Sequence, residues 1–315
     1  MHAKEKSALV TGGAGFIGSH VAHLLIRKGF FVYILDNMSN GKPENLKTLE
    51  PGKYEFIKGS ITNQELIHYL VPKVDYVFHL AAYVSVPGSF VDPLLNHQTN
   101  VTGTLNIYQA CLKHGIKKIV FSSSCAVYQD LPLAEPRKKE RSPLAPVSPY
   151  GFSKKFGEEY AELFSETMAL PVIILRYFNV YGPRQDHKSP YAAAVPIFFQ
   201  RMLNQEPITV YGDGTQTRDF VYVNDVAQAN LWAALSKRRW GIYNVGTGNP
   251  TSINELIKLI FKVTRKKVPV KFAPPRGSEI KHIHADIQQI VHDLNFTPSL
   301  TLQEGLEQLY KCYGS

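Results

Sequence analysis

The sequence predicts an α/β protein in which a doubly wound parallel sheet carries a smaller α/β lobe, and three features predict it. Short apolar runs recur at Ser7–Val10, Phe31–Leu35, Tyr54–Lys58, Val74–Phe78, Lys118–Phe121 and Val172–Leu175, with helix-spaced stretches between them. That alternation marks parallel strands joined by crossover helices. The first run leads through the glycine-punctuated turn Thr11–Gly18 into Ile17–Ile26, whose apolar residues follow helical spacing. Proline and charge then gather from Gly182 to Pro190 and again at Pro274 and Pro275, where a chain leaves a sheet. A return is expected around Phe220–Asn244. The domains therefore interleave: residues 1–178 with about 220–247 form the sheet domain, and about 179–219 with 248–315 form the second lobe.

The first unit has a chemical reading. Glycines at 12, 15 and 18 in Thr11-Gly-Gly-Ala-Gly-Phe-Ile-Gly18 let the chain turn tightly, bring backbone N–H groups close to a pyrophosphate, and pack the following helix on the strand. The helix N-terminus adds partial positive charge at the same spot. Taken alone, a glycine triplet also fits an ordinary tight turn. Here the second strand ends in Asp36, 18 residues past Gly18, where a carboxylate accepts hydrogen bonds from adenosine ribose hydroxyls. Asn37 follows, with no Arg or Lys beside it to neutralise a 2′-phosphate, so NAD is expected rather than NADP. The sheet domain is thus expected to be an NAD-binding Rossmann domain.

Near the middle of the chain, Tyr150-Gly-Phe-Ser-Lys154 places Tyr150 and Lys154 at i and i+4 on one face of a helix expected from Pro149 to about Met168. A tyrosine hydroxyl titrates at about 10, so a tyrosine base at neutral pH needs about three units of depression, roughly 4 kcal/mol. One ammonium and one cationic nicotinamide ring suffice, since each charge at ~4–6 Å contributes ~1–3 units. By itself this spacing also fits a surface tyrosine and a solvated lysine; the glycine motif gives it weight. Between the two motifs, Lys118–Tyr128 is a strand entering a run of serines. Strand C-termini face the cofactor crevice in such a sheet, so a hydroxyl there can bond a reacting oxygen. Composition alone does not choose among Ser122, Ser123 and Ser124.

Bulk properties narrow the classes. At 315 residues and 44% apolar, the chain can form a large sheet core with an appended lobe. Three cysteines, Cys111, Cys125 and Cys312, are few and odd in number, which argues against a disulfide framework. No stretch is apolar enough to span a membrane and Met1–Lys6 leads directly into the first strand, so a cytoplasmic location without a signal peptide is expected. No metal site is expected. The net charge of +9 includes basic clusters at Arg137–Lys139, Lys237–Arg239 and Arg265–Lys267. These are short, separated and lack interleaved aromatics for base stacking, so they read as solvated faces rather than nucleic-acid or membrane surfaces. A non-catalytic NAD- or RNA-binding protein is the competing class, and it gives no reason for the serine run Ser122–Ser124, Tyr150 and Lys154 to occur together.

These residues resemble the extended short-chain dehydrogenase/reductase family, and within it the UDP-sugar 4-epimerases. The resemblance covers essentially the whole chain and rests on TGGAGFIGSH (11–20), LDNMSNGKPENL (35–46), HLAAYVSVPGSFVDP (79–93), NVTGTLN (100–106), FSSSCAVY (121–128), YGFSK (150–154), LRYFNVYGPRQD (175–186), YGDGTQTRDFVYVNDVA (211–227) and YNVGTG (243–248). It implies that Ser124, four residues before Tyr128, is the catalytic hydroxyl residue, that Tyr150 is the base supported by Lys154, and that Asn100 orders the active-site backbone. It also implies NAD contacts from Gly12, Gly15, Phe16, Ile17, Gly18, Asp36, Asn37, Met38, Ser39, Asn40, Gly41, Leu80, Ala81, Ala82, Tyr83, Val84, Ser122, Tyr177 and Phe178. Ser60 and Ile61 stand where the family usually has Asp and an aliphatic against adenine. A nucleotide-sugar site is implied at Ser85, Ser124, Tyr150, Asn179, Val195, Tyr211, Arg218, Arg276, Glu279 and Ile283. In it Asn179 and the two arginines take the diphosphate, and Tyr211 stacks on uracil. A homodimer built on the helices near Val101–His114 and Tyr150–Met168 is implied as well.

The implied reaction is inversion of C4 of a UDP-hexose. Phenolate Tyr150 removes the 4-hydroxyl proton while C4 passes hydride to NAD, and the resulting 4-keto sugar turns before reduction on its other face, with no net NADH. In the 4,6-dehydratases Asp-Glu follows the catalytic hydroxyl residue, and in the nucleotide-sugar decarboxylases Glu stands at the second of these positions; this chain has Cys125-Ala126. Cys125 is read as a small packing residue, and Gln129 replaces a glycine common in the family. Ile283 stands where side-chain bulk regulates entry of a 2-acetamido group, and Ser85-Val86-Pro87 resembles the branch that accepts N-acetylglucosamine. UDP-GlcNAc/UDP-GalNAc is therefore favoured, with UDP-Glc/UDP-Gal as the other pair; a uronate epimerase is a further alternative.

Overall fold

The structure is a computed structural model that describes residues 6–128, 136–186, 193–275 and 281–313. Its strands in chain order are β1 Lys6–Thr11, β2 Phe30–Asp36, β3 Tyr54–Lys58, β4 Tyr76–His79, β5 Lys118–Ser124, β6 Arg137–Lys138, β7 Val172–Tyr177, β8 Asn179–Tyr181, β9 Ile208–Tyr211, β10 Thr217–Tyr222, β11 Trp240–Val245, β12 Pro250–Ser252, β13 Val270–Ala273 and β14 His284–Ala285. Among the described residues, seven strands form one parallel sheet in the order β11-β7-β5-β4-β1-β2-β3. The chain winds outward in both directions from β1 and β4, which opens a crevice beyond their C-terminal ends.

Strand alternation explains why the sheet is buried on both faces. Ala8, Val10, Ile34, Phe78, Val120 and Ile173 point into one core, against the helices Phe16–Arg27 and Val223–Leu235. Leu9, Leu35, Val77, Ile119, Phe121 and Ile174 point into the other, against Gln64–Leu70, Gly103–His114 and Pro149–Met168. This is the doubly wound α/β fold that the alternating runs predict. Two differences matter for function. The strand β5 runs on to Ser124, because Ser122–Ser124 pair with Leu175–Tyr177. The helix expected near Val101–His114 is observed as Gly103–His114, and a π-helical turn, Gln98–Thr102, leads into it.

Outside the seven-stranded sheet lie the β12-β10-β8 sheet, the pairs β13-β9 and β14-β6, and a third core that includes Phe199, Met202, Leu256, Ile260 and Leu306. β10 straddles two cores: Phe220 and Tyr222 enter the third, while Val221 between them enters the first. Period two thus fastens the lobe to the sheet. Among the described residues, no helix is long and apolar enough to cross a membrane, and no three His, Cys, Asp or Glu side chains cluster to hold a metal ion.

Candidate active site

The crevice is built first from backbone that has no room for side chains. Gly12 has φ +68°, and a Cβ there would lie 2.8 Å from the Ala81 nitrogen; a Cβ on Gly18 would lie 2.1 Å from the Gly12 carbonyl oxygen. These contacts press the start of the helix Phe16–Arg27 onto the turn and aim its first N–H groups along the crevice. Asp36, at the end of β2, accepts from the Ala14 N–H at 3.0 Å and the Met38 N–H at 2.8 Å. Its carboxylate ties the two loops together and keeps lone pairs for a further donor. A cradle that any Cβ would fill, with a carboxylate at the far strand end, fits NAD. Gly12, Gly15, Phe16, Ile17, Gly18, Asp36, Asn37, Ser39, Asn40, Gly41, Ser60, Ile61, Leu80, Ala81, Ala82 and Val84 line this crevice, as do Ser122, Ser124, Tyr150, Lys154, Tyr177 and Phe178. Met38, Tyr83 and Asn100 do not.

The far end of the crevice is set by the helix Pro149–Met168. Ser148 caps it, its hydroxyl accepting the Gly151 N–H at 3.1 Å, and Pro149 occupies the first turn, where its missing N–H costs nothing. Tyr150 and Lys154 therefore enter on one face, as their spacing requires. The Ser124 hydroxyl at the tip of β5 faces the Tyr150 phenol and favours its ionised form, and Lys154 Nζ donates to the Ser122 carbonyl at 2.7 Å. Burial pushes the Tyr150 phenol up to about 12 in the chain by itself. The depression expected from the YxxxK spacing is therefore not produced by Lys154 alone. Burial also lowers Lys154 to about 8, partly opposed by Glu158. Cys125 is pushed up to about 11 by burial, the state of a packing thiol rather than a nucleophile.

Behind the wall lies a hydrogen-bonded support that the motifs do not reveal. His79 is buried, with ring nitrogens at 2.8 Å from Thr11 Oγ1 and 3.0 Å from Thr104 Oγ1. Thr104 donates in turn to the Asn100 carbonyl at 2.6 Å. Within the π-helical turn, the Asn100 side chain accepts from the Tyr83 N–H at 2.7 Å and donates to the Tyr83 carbonyl, Asn96 and Ser153. One asparagine thus fixes the loop after β4 to the catalytic helix, the kind of use to which π-turns are commonly put. Glu158 and Arg176 form a buried ion pair at 2.6 Å, with side chains 4% and 2% exposed. Loss of either partner alone is expected to cost about 3–5 kcal/mol.

The remaining sequence candidates lie around the crevice rather than on it. Asn179 opens β8 next to Phe178, and its Oδ1 is buried without a hydrogen-bond partner among the described residues, which fits an acceptor reserved for a ligand. Arg218 on β10 is half-buried, its Nη1 donating to the Thr217 and Lys281 carbonyls. Tyr211 is exposed at the end of β9. Ser85 caps the helix Val86–Val91. Val195 is packed into the third core, and Ile283 is buried beside Val127, Tyr128 and Phe178. Arg276, Glu279 and Gln129 lie outside the described residues. Sequence reasoning missed Lys42, Thr99, Arg184 and Gln185, which also line the crevice. Lys42 reaches Asp186 at 3.0 Å across its mouth.

Comparison with known proteins agrees with this geometry. The model of the family described as "NAD dependent epimerase/dehydratase family" matches residues 8–246. A putative UDP-glucose 4-epimerase of Methanocaldococcus jannaschii is 42% identical over 307 residues, 96% of each chain. A UDP-N-acetyl-alpha-D-glucosaminuronate decarboxylase of Bacillus cytotoxicus is 36% identical over 320 residues, again 96% of each. Among solved structures, the UDP-N-acetylglucosamine 4-epimerase of Methanobrevibacter ruminantium, in complex with UDP-N-acetylmuramic acid, superposes with a TM-score of 0.94 at 41% identity over 99% of both chains. The Thermus thermophilus UDP-glucose 4-epimerase complexed with NAD gives a TM-score of 0.90 at 36% identity, covering 98% of this chain and 99% of that one. With a glycine cradle shaped for a dinucleotide and a tyrosine, lysine and serine at its far end, the chain belongs to the NAD-dependent epimerase/dehydratase family, and its cofactor is NAD.

Proposed function

We propose that this NAD-dependent epimerase inverts C4 of a UDP-hexose, with UDP-GlcNAc and UDP-GalNAc its favoured pair and UDP-glucose and UDP-galactose the other. The observation that carries the reading is the meeting of Ser124, Tyr150 and Lys154 at the end of the glycine-cradled crevice. When bound, NAD supplies reversible oxidation at C4. The rest falls to the chain. Tyr150 takes the proton of the 4-hydroxyl and returns it to O4 once the 4-keto sugar has turned and been reduced on its other face. Its phenol, held up at about 12 by burial, needs both the Lys154 ammonium and the positive charge of the oxidised cofactor to ionise near neutrality. Ser124 bonds O4 as its charge changes. Asn179, Arg218 and Arg276 hold the diphosphate, and Tyr211 stacks on the base.

Elimination and decarboxylation lack their acidic residues, since Cys125 and Ala126 follow Ser124. The test is to incubate the protein separately with UDP-Glc, UDP-GlcNAc, UDP-GlcA and dTDP-Glc, and to identify products by NMR and mass. The expected product has unchanged mass, an inverted C4 and no stoichiometric NADH beside it; loss of water or carbon dioxide overturns the reading.

Support for the acetamido sugar comes from Ser85-Val86-Pro87 and from the similarity to the M. ruminantium enzyme, while Ile283 is intermediate in bulk between small residues that admit an acetamido group and a tyrosine that excludes it. Ile283→Tyr is expected to lower kcat/KM for UDP-GlcNAc selectively. Because Ile283 is packed against Tyr128 and Phe178, overpacking also costs about 1–3 kcal/mol of stability. The ratio of kcat/KM values for the two sugars is therefore the quantity to read, and an unchanged ratio contradicts the gate.

A homodimer is part of the proposal. Phe90, Val91, Leu94, Leu95, Phe152 and Phe156 are exposed on the adjacent helices Val86–Val91, Pro93–His97 and Pro149–Met168, an apolar face that suits a second copy of the chain. Sedimentation is expected to give twice the 35.4 kDa chain mass; a monomer at micromolar concentration contradicts it.

A further inference from the structure

Three rungs join the helix Pro149–Met168 to the tip of β5, and the chemistry above uses two of them. Tyr150, Lys154 and Glu158 lie one turn apart on the same helix face and meet Ser124, Ser122 and Ser123 respectively. On the third rung the Ser123 hydroxyl donates to Glu158. Arg176 on β7 holds the same carboxylate, Nε donating to Oε1 at 2.9 Å and Nη2 to Oε2 at 2.6 Å. The remaining arm of Arg176 donates to the Tyr128 hydroxyl at 2.9 Å and the Glu140 carbonyl at 2.7 Å. One ion pair thus grips the serine turn at both ends, with its carboxylate one helical turn from Lys154.

We propose that Glu158 is a positioning residue for the epimerase reaction: clamped by Arg176 and Ser123, its carboxylate keeps buried Lys154 an ammonium and so sets the pH at which Tyr150 becomes a base. The inference rests on the assignment of Tyr150 and Lys154 made above. The groups facing Lys154 leave this task to Glu158. From β4 it faces His79, which burial lowers to about 3 and leaves neutral. From β5 it faces the Ser122 carbonyl and, at 5.1 Å, the Phe121 ring. From its own helix it faces Tyr150 and Glu158, and Glu158 favours the ammonium where burial opposes it. Glu158 in turn is faced by Arg176, Tyr128 and Tyr108, of which the arginine is its ion-pair partner.

The test is an ultraviolet titration of phenolate in the NAD-loaded protein, read against the same background carrying Tyr150→Phe, together with kcat as a function of pH. The paired variant Glu158→Gln/Arg176→Gln leaves no lone buried charge. It is expected to move the Tyr150 midpoint and the acid limb of kcat upward by about one pH unit, a loss of about tenfold in kcat at neutral pH. Ser123→Ala, which removes the rung without a charge, is expected to lower kcat with the midpoint unmoved. A folded paired variant with the wild-type midpoint overturns the inference. Should the pair unfold the chain, NMR of the Lys154 Cε in the wild-type holoenzyme decides: a midpoint at about pH 8 or above is expected, and a lysine already neutral at about pH 7 overturns it. Absence of any Tyr150 phenolate band in the wild type refutes the assignment of the base instead, a separate failure.

Discussion

Tyr150→Phe is expected to lower kcat by on the order of 10³-fold while leaving bound NAD and folding unchanged. The substitution removes one oxygen. The bonds that position the residue belong to its backbone: its N–H donates to Ser89 Oγ at 3.1 Å, and its carbonyl accepts from Ser153 Oγ at 2.7 Å. The Ser148 cap lies outside it. Ring packing is retained, and a buried phenol lost from beside Ser124 leaves a serine with its own bond to the Ala126 N–H. What disappears is the proton carrier at C4, which neither Ser124 nor Lys154 replaces. Lys154 faces the Ser122 carbonyl, and an aliphatic hydroxyl is far too weak an acid to serve near neutrality. Steady-state kinetics on the accepted UDP-sugar, with cofactor content measured after denaturation, checks both halves. Activity within tenfold of wild type, or loss of NAD, contradicts the assignment.

Gly18→Ala is expected to have a comparably large effect at the opposite end of the crevice, and on binding rather than turnover. The added methyl would lie 2.1 Å from the Gly12 oxygen, 2.8 Å from the Gly12 carbonyl carbon and 2.9 Å from Gly13 Cα. All three are backbone, so the helix Phe16–Arg27 must withdraw from the turn and take its N–H donors with it. Expected are a loss of NAD affinity of at least about 100-fold and about 1–3 kcal/mol of stability. Gly15→Ala serves as the graded control: its Cβ would meet the Gly12 oxygen at 3.1 Å, and the residue has φ −75°, which any side chain tolerates. Calorimetric titration with NAD ranks the three proteins. Equal affinity for Gly18→Ala and wild type contradicts the cradle.

Much of this was legible in the sequence because local rules govern it. Glycine spacing, the acidic residue at the end of β2 and the i, i+4 pair depend on a turn, a strand end and one helix face, each readable within a few residues. The burial that pushes Tyr150 up rather than down was not legible, because it depends on how other elements, among them Ser124 at the end of β5 and Cys125 after it, surround the phenol. Nor was the Glu158–Arg176 pair, whose partners lie on different elements, although Glu158 at i+4 from Lys154 on the tyrosine's own face was a visible hint. Packing adds what motif matching does not show: Val195 also belongs to the third core, and Ile283 packs beside Val127, Tyr128 and Phe178. The π-turn that carries Asn100 leaves no sequence trace apart from an otherwise regular helical pattern.

The central claim is that one tyrosine takes and returns the 4-hydroxyl proton while the C4 hydrogen leaves and comes back within a single bound complex. The measurement that tests it most directly follows UDP-GlcNAc deuterated at C4 through turnover in ordinary water. The account predicts a C4-inverted product that keeps its deuterium in full. Deuterium washed out to solvent, or inversion at a carbon other than C4, would contradict it.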